Sequence, residues 1–178
     1  MSGIYVDFPS LPHHVESYQH NISRDILADA LAEAMARLNS FTSEKAISVA
    51  GKEGLYTGSM TIRVGIGHGH KILYFKSERA LKRIIVKALK ILKQPFIDFG
   101  IRVSYKYFDG KRWLPVRADE YLIRLFVNQE SLTFHIKLSR GLGRLDPQDL
   151  INMILERLKV ATTSLGVSNP LFIRRSQS

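Results

Sequence analysis

The chain contains no cysteine. Disulfides, thiolate zinc sites, iron–sulfur clusters and cysteine nucleophiles are thereby excluded, and any metal would need His, Asp or Glu ligands. Long apolar runs are missing as well. The most apolar stretch, Ile84 to Leu92, is broken by Lys87 and Lys90, so no membrane span is expected. Met1 to Ser10 has no positive leader and includes Asp7 and Pro9, which does not read as a signal peptide. A cytoplasmic location is the resulting expectation. Acids are scarce in the middle of the chain, where 6 Asp/Glu stand against 18 Lys/Arg between Ser59 and Leu145. Met1 to Gly58 holds 7 acids and 4 cations, and Asp146 to Ser178 holds 3 and 4. The formal net charge of +10 therefore resides in the central segment. Folded, such a segment presents a basic surface, which attracts phosphate backbones or anionic lipid head groups.

With 178 residues, 45% of them hydrophobic and 24% charged, the composition is that of one globular domain able to bury its own core. Residues 1–22 lack a clear period and read as an irregular N-terminal arm, with a short strand at Ile4-Tyr5-Val6. A helix is expected from Ser23 to Asn39, with Ser23 as N-cap and Asp25 in its first turn. A short strand at Ala46 to Val49 follows. The alternating run Met60 to Ile66 then turns at Gly67-His68-Gly69-His70 and returns through Lys71 to Phe75, a hairpin. A second helix spans Ser77 to about Lys93 and is ended by Pro95. Strands at Ile101–Phe108 and Arg112–Val116 flank the hairpin signal Asp109-Gly110. Two more, Tyr121–Val127 and Ser131–Ser139, surround Asn128-Gln129-Glu130. Asp146-Pro147 supplies an N-cap and an N1 proline for a third helix. The expected fold is a single α+β domain over 23–161, a mainly antiparallel sheet of about five or six strands packed by three helices, with a polar tail over 162–178. Runs 61–66 and 122–127 look alike, and each starts a hairpin followed by a helix. A hairpin–helix repeat is one reading; chance likeness between alternating strands is the simpler one.

The second helix carries the most pointed signal. Lys76, Arg79, Lys82, Arg83, Lys87, Lys90 and Lys93 fall within an arc of roughly 140°, with Glu78 the one acid among them. Like charges at helical spacing repel, and a polyanion laid along the face would relieve them. The alternative is a solvated lysine-rich face paired with acids of the first helix. A membrane surface fits less well, because the apolar side of this helix is needed against the sheet. A second signal is Tyr105 to Trp113, where Lys106, Lys111 and Arg112 interleave with aromatics around the hairpin turn. Aromatics there could stack on bases while the cations hold phosphates; if the tyrosines face the core, only the cations and Trp113 remain. A third is Arg140-Gly141-Leu142-Gly143-Arg144, whose amides and arginines could meet a phosphate before the third helix, or serve only as a connector. His68 and His70 form a weak candidate for a metal-dependent enzyme, and Asp119-Glu120 reads as a turn before a strand.

No nucleophilic triad has a signature, and no cofactor is implied. The expected function is non-catalytic nucleic-acid binding, DNA or RNA, through the basic helix and the basic hairpin. A module meeting an acidic protein or a second copy of the chain is the alternative.

Overall fold

The computed structural model describes residues 5–7, 12–39, 42–47, 55–68, 71–74, 78–91 and 96–175. These form β1 (Tyr5–Asp7), β2 (His14–His20), α1 (Arg24–Leu38), β3 (Thr42–Ile47), β4 (Leu55–His68), β5 (Lys71–Tyr74), α2 (Glu78–Ile91), β6 (Phe96–Phe108), β7 (Trp113–Val127), β8 (Ser131–Arg140), α3 (Pro147–Ser164) and β9 (Phe172–Arg174). One antiparallel sheet runs β1-β5-β4-β6-β7-β8-β2-β9, with β3 beside β4. The expected α+β class is what forms. β2, β3, β4, β6, β7 and β8 are the long strands, and β1, β5 and β9 extend the sheet with 3, 4 and 3 residues.

Alternation decides which side of the sheet is buried. Ile97, Phe99, Ile101 and Val103 of β6 point the same way as their partners Leu125, Ile123 and Tyr121 of β7. Phe134 and Ile136 of β8, and Ile62 and Val64 of β4, continue that face across the register. All are buried, and all belong to one core with Leu81, Ile85 and Leu89 of α2 and Leu150, Ile151, Ile154 and Leu158 of α3. The three helices therefore share one face of the sheet. α1 lies between α2 and α3. Its alanines at 28, 32 and 36, one per turn, are buried and permit close approach. Arg24 Nη2 donates to the Leu89 carbonyl at 3.2 Å, and Glu33 meets Lys82, so α1 and α2 run antiparallel.

The helix starts follow the sequence. Ser23 occupies the N-cap of α1, although its side chain makes no capping bond. Asp146 caps α3 by accepting from Gln148 N, with Pro147 at N1. Ser77 and Pro95, expected to bound α2, lie outside the described residues.

Three expectations need correction. The arm at 1–22 contains β2, paired on one side with β8 and on the other with β9. Its inward positions include Glu16, 5% exposed, which is held by His14 and Arg174. A carboxylate at an inward position hides the period that marks a strand. The tail expected at 162–178 is likewise integrated over its described residues, 162–175: α3 runs to Ser164, Thr162 is fully buried, and β9 joins the sheet. Finally, Asp119 and Glu120 are not a turn. The two strands expected on either side of them are one strand, β7, whose pairing shifts register against β6 and again at Glu120/Tyr121 against β8. A bulge resets the alternation, so one bent strand reads as two.

Candidate nucleic-acid interface

The cations of α2 point away from the core. Leu81, Ile85 and Leu89 are buried, whereas Arg79, Arg83, Lys87 and Lys90 are exposed. At 100° per residue those four fall within an arc of about 80° and span ~17 Å of helix. None has a carboxylate partner among the described residues. Lys82 differs: its Nζ meets Glu33 Oε2 at 2.5 Å, and Glu33 is also engaged by Arg37 at 2.9 Å. Those hydrogen bonds, Lys82 first, hold the Glu33 carboxyl below its ordinary range. The acids of α1 thus satisfy only the flank of α2 that faces them. Between the two helices runs a groove of about 620 Å³, lined by Asp29, Glu33, Arg37, Lys82, Arg83 and Lys87 together with Ser164 and Leu165. Lys76 and Lys93 lie outside the described residues.

The cost of this arrangement is small but uncompensated. Arg79–Arg83 and Arg83–Lys87 are i, i+4 pairs and Lys87–Lys90 an i, i+3 pair; at a few tenths of a kcal/mol each they amount to about 1 kcal/mol.

The hairpin of β6 and β7 lies elsewhere. Tyr105 is 1% exposed and belongs to the core, so Lys106, one residue on, emerges on the side of the sheet opposite the helices. Arg102 and Ser104 share that side with Lys106, and all three are exposed. On β7, Trp113, Pro115 and Arg117 are exposed in the same alternation. The turn itself is organised by Asp109, whose Oδ1 accepts from Lys111 N and Arg112 N, each at 2.9 Å. The amide of Arg112, and after it that of Lys111, holds the Asp109 carboxyl below the ordinary carboxylate range. Gly110 takes φ +95°, the left-handed conformation for which Asp-Gly is suited. Trp113 is 45% exposed, and its ring rests 5.2 Å from that of Phe108. Arg140 reaches the same side, since its Nε lies 3.8 Å from Glu120, which also meets Arg102 at 3.4 Å.

Arg144 does not join either surface. Its Nη1 donates to Asp119 Oδ1 at 2.9 Å, its guanidinium lies over the Tyr105 ring at 4.6 Å, and its side chain is 11% exposed. Leu142 N and Arg144 N donate to the two oxygens of Asp119 at 2.7 and 2.8 Å. The loop amides expected to meet a phosphate are taken instead by a carboxylate of the protein, so residues 140–144 act as a connector anchored on Asp119. Burial alone would raise the Asp119 carboxyl, but the amides of Arg144 and Leu142 and the Arg144 charge outweigh it and hold it low. Gly141 is required there: at φ +97°, a Cβ would come within 2.1 Å of Asp119 Oδ1.

The structure thus groups the expected residues into two basic surfaces. Arg79, Lys82, Arg83, Lys87 and Lys90 are on the helix side; Lys106, Lys111, Arg112, Trp113 and Arg140 are at the hairpin end of the opposite side. Arg102 and Arg117 join the second group and were not foreseen. Their signal is parity: 102 shares the period-2 phase of 106, and 117 that of 113.

His68 closes β4 opposite Lys71, and His70 lies outside the described residues. Among the described residues no three His, Asp or Glu side chains converge on a metal position, and no helix is long and apolar enough to cross a membrane. No family model, curated protein or solved structure matches this chain.

Proposed function

We propose that the chain is a non-catalytic nucleic-acid-binding protein whose main phosphate contacts are the exposed cations of α2. One observation carries this reading: Arg79, Arg83, Lys87 and Lys90 form an exposed row with no acidic partner among the described residues. A solvated face elsewhere in the same molecule mixes its signs, as Asp29, Glu33 and Arg37 do on α1. The row of four charges is ~17 Å long, over which one strand of B-form duplex carries about five phosphates. Release of condensed counterions would drive such an association, and phosphate contacts of this kind read little sequence.

The test is binding of labelled single- and double-stranded DNA and RNA to the full chain across a salt series. Binding at about 50 mM salt, with log K falling linearly as log salt rises, is the expected result. Absence of binding to all four at that salt defeats the reading and passes the α2 surface to an acidic protein partner.

A further inference from the structure

We infer that the hairpin end of the helix-free sheet face is a single-strand platform, on which a base stacks against Trp113 while Arg102, Lys106, Arg117 and Arg140 hold the flanking phosphates. The inference rests on the nucleic-acid reading above and names the substrate class that this second surface selects.

Burial along the face limits the platform to one end. Toward the start of β6, the same side of the sheet is closed: Asp98 is fully buried, Leu122 is 7% exposed and Arg124 is 9% exposed. Phe96 and Phe126 sit there against Arg124 and His135, so those aromatics are already engaged. Toward the hairpin the face opens, with Arg102, Ser104, Lys106, Trp113, Pro115 and Arg117 all exposed. No helix covers it among the described residues, because all three pack on the other side. The occupant must therefore suit an open, pleated, basic surface with one aromatic ring at its edge.

Charge and shape together choose a single strand. Six cations, counting Lys111 and Arg112 at the turn, stand against Glu120 and Asp109. Glu120 lies between Arg102 and Arg140 at 3.4 and 3.8 Å, distances long enough that a phosphate can compete for both arginines. Trp113 is 45% exposed and meets the tilted ring of Phe108 at 5.2 Å, so a large part of the indole remains accessible to a base. Only unpaired bases offer their faces to such a ring; in a duplex they are already stacked within the helix. An acidic protein segment would satisfy the cations but would leave the half-exposed indole without a flat aromatic partner.

Trp113 is the only tryptophan in the chain, so its emission reports this site and no other. The experiment titrates the full-length protein with dye-labelled oligothymidylate of about 15 nucleotides, and with a duplex of equal length. Binding is followed by anisotropy of the dye and stacking by Trp113 emission. Single strands are expected to quench Trp113 in step with the anisotropy, and the duplex to bind without quenching. Trp113→Ala should weaken single-strand binding roughly ten-fold and leave duplex binding unchanged. An Arg102→Glu/Lys106→Glu variant keeps the fluorophore and should shift the quenching curve to higher oligonucleotide concentration. Single strands that bind by anisotropy while Trp113 emission stays constant overturn the platform and leave α2 as the contact. Equal quenching by the duplex overturns the selectivity. If neither nucleic acid binds, this inference and the broader reading fall together.

Discussion

Replacing Asp119 with alanine should cost about 3–5 kcal/mol of stability, the magnitude typical of breaking a buried ion pair by removing one partner. Three donors converge on this carboxylate: Leu142 N, Arg144 N and Arg144 Nη1. Alanine leaves two amides without an acceptor and strips the Arg144 guanidinium of its counter-charge, with the Arg117 carbonyl at 3.1 Å still accepting from it, in a site where the Arg144 side chain is 11% exposed. The glycine loop 140–146 loses the anchor around which it folds. Urea unfolding should show a lowered midpoint with an unchanged m-value. Asp119→Asn keeps one acceptor oxygen and should lose less; a loss under about 1 kcal/mol for alanine would refute the anchor. The pH dependence has a definite sign. Asp119 titrates lower in the folded chain than in the unfolded one, so its contribution is full above the unfolded value near 3.9 and disappears as pH falls through the folded value.

Arg124→Ala should be comparably damaging, again by about 3–5 kcal/mol, and its pH behaviour should be the reverse. Arg124 donates to both oxygens of Asp98, at 2.8 Å through Nε and 3.0 Å through Nη2, and Asp98 is fully buried. Here burial outweighs the arginine, and the Asp98 carboxyl sits above its ordinary value. Asp98 gives its full contribution below the unfolded value near 3.9, and that contribution is lost as pH rises through the folded value. Without Arg124 the orphaned carboxylate is worst at neutral pH and is relieved by protonation. The deficit of Arg124→Ala should therefore shrink between pH 7 and pH 4, measured by chemical unfolding at each pH. The double variant Asp98→Asn/Arg124→Met should recover most of the loss, since an unpaired buried charge costs more than no charge. A deficit that stays constant with pH would mean that packing over Phe96, 4.2 Å from the guanidinium, dominates instead.

The two buried carboxylates show why part of this molecule could be read from its sequence and part could not. Helices were legible because their signals are local: Asp146-Pro147 starts α3, and a 3.6-residue apolar period marks α1 and α2. Strands were legible where alternation is unbroken, as over 101–108 of β6, whose opening residues from Phe96 were not legible as strand. β2 was hidden by Glu16 at an inward position, and β7 was split by a register shift. Asp119 was missed because its partners come from a loop about 23 residues further on, a closure no local pattern announces. The candidate surfaces divide in the same way. Parity placed Tyr105 and Lys106 on opposite faces, and it is Tyr105 that faces the core. Nothing in the order of residues shows that α2 and the β6–β7 hairpin present their cations on opposite sides of one sheet.

Contact between α2 and phosphate is read out by the salt dependence of duplex binding for the natural chain and for Arg79→Glu/Arg83→Glu/Lys87→Glu/Lys90→Glu, with folding checked by the thermal midpoint. The variant should bind far more weakly, with a log K–log salt slope shallower by roughly 3–4, about 0.9 for each phosphate contact removed. Equal affinity and equal slope for the two folded proteins would contradict that contact.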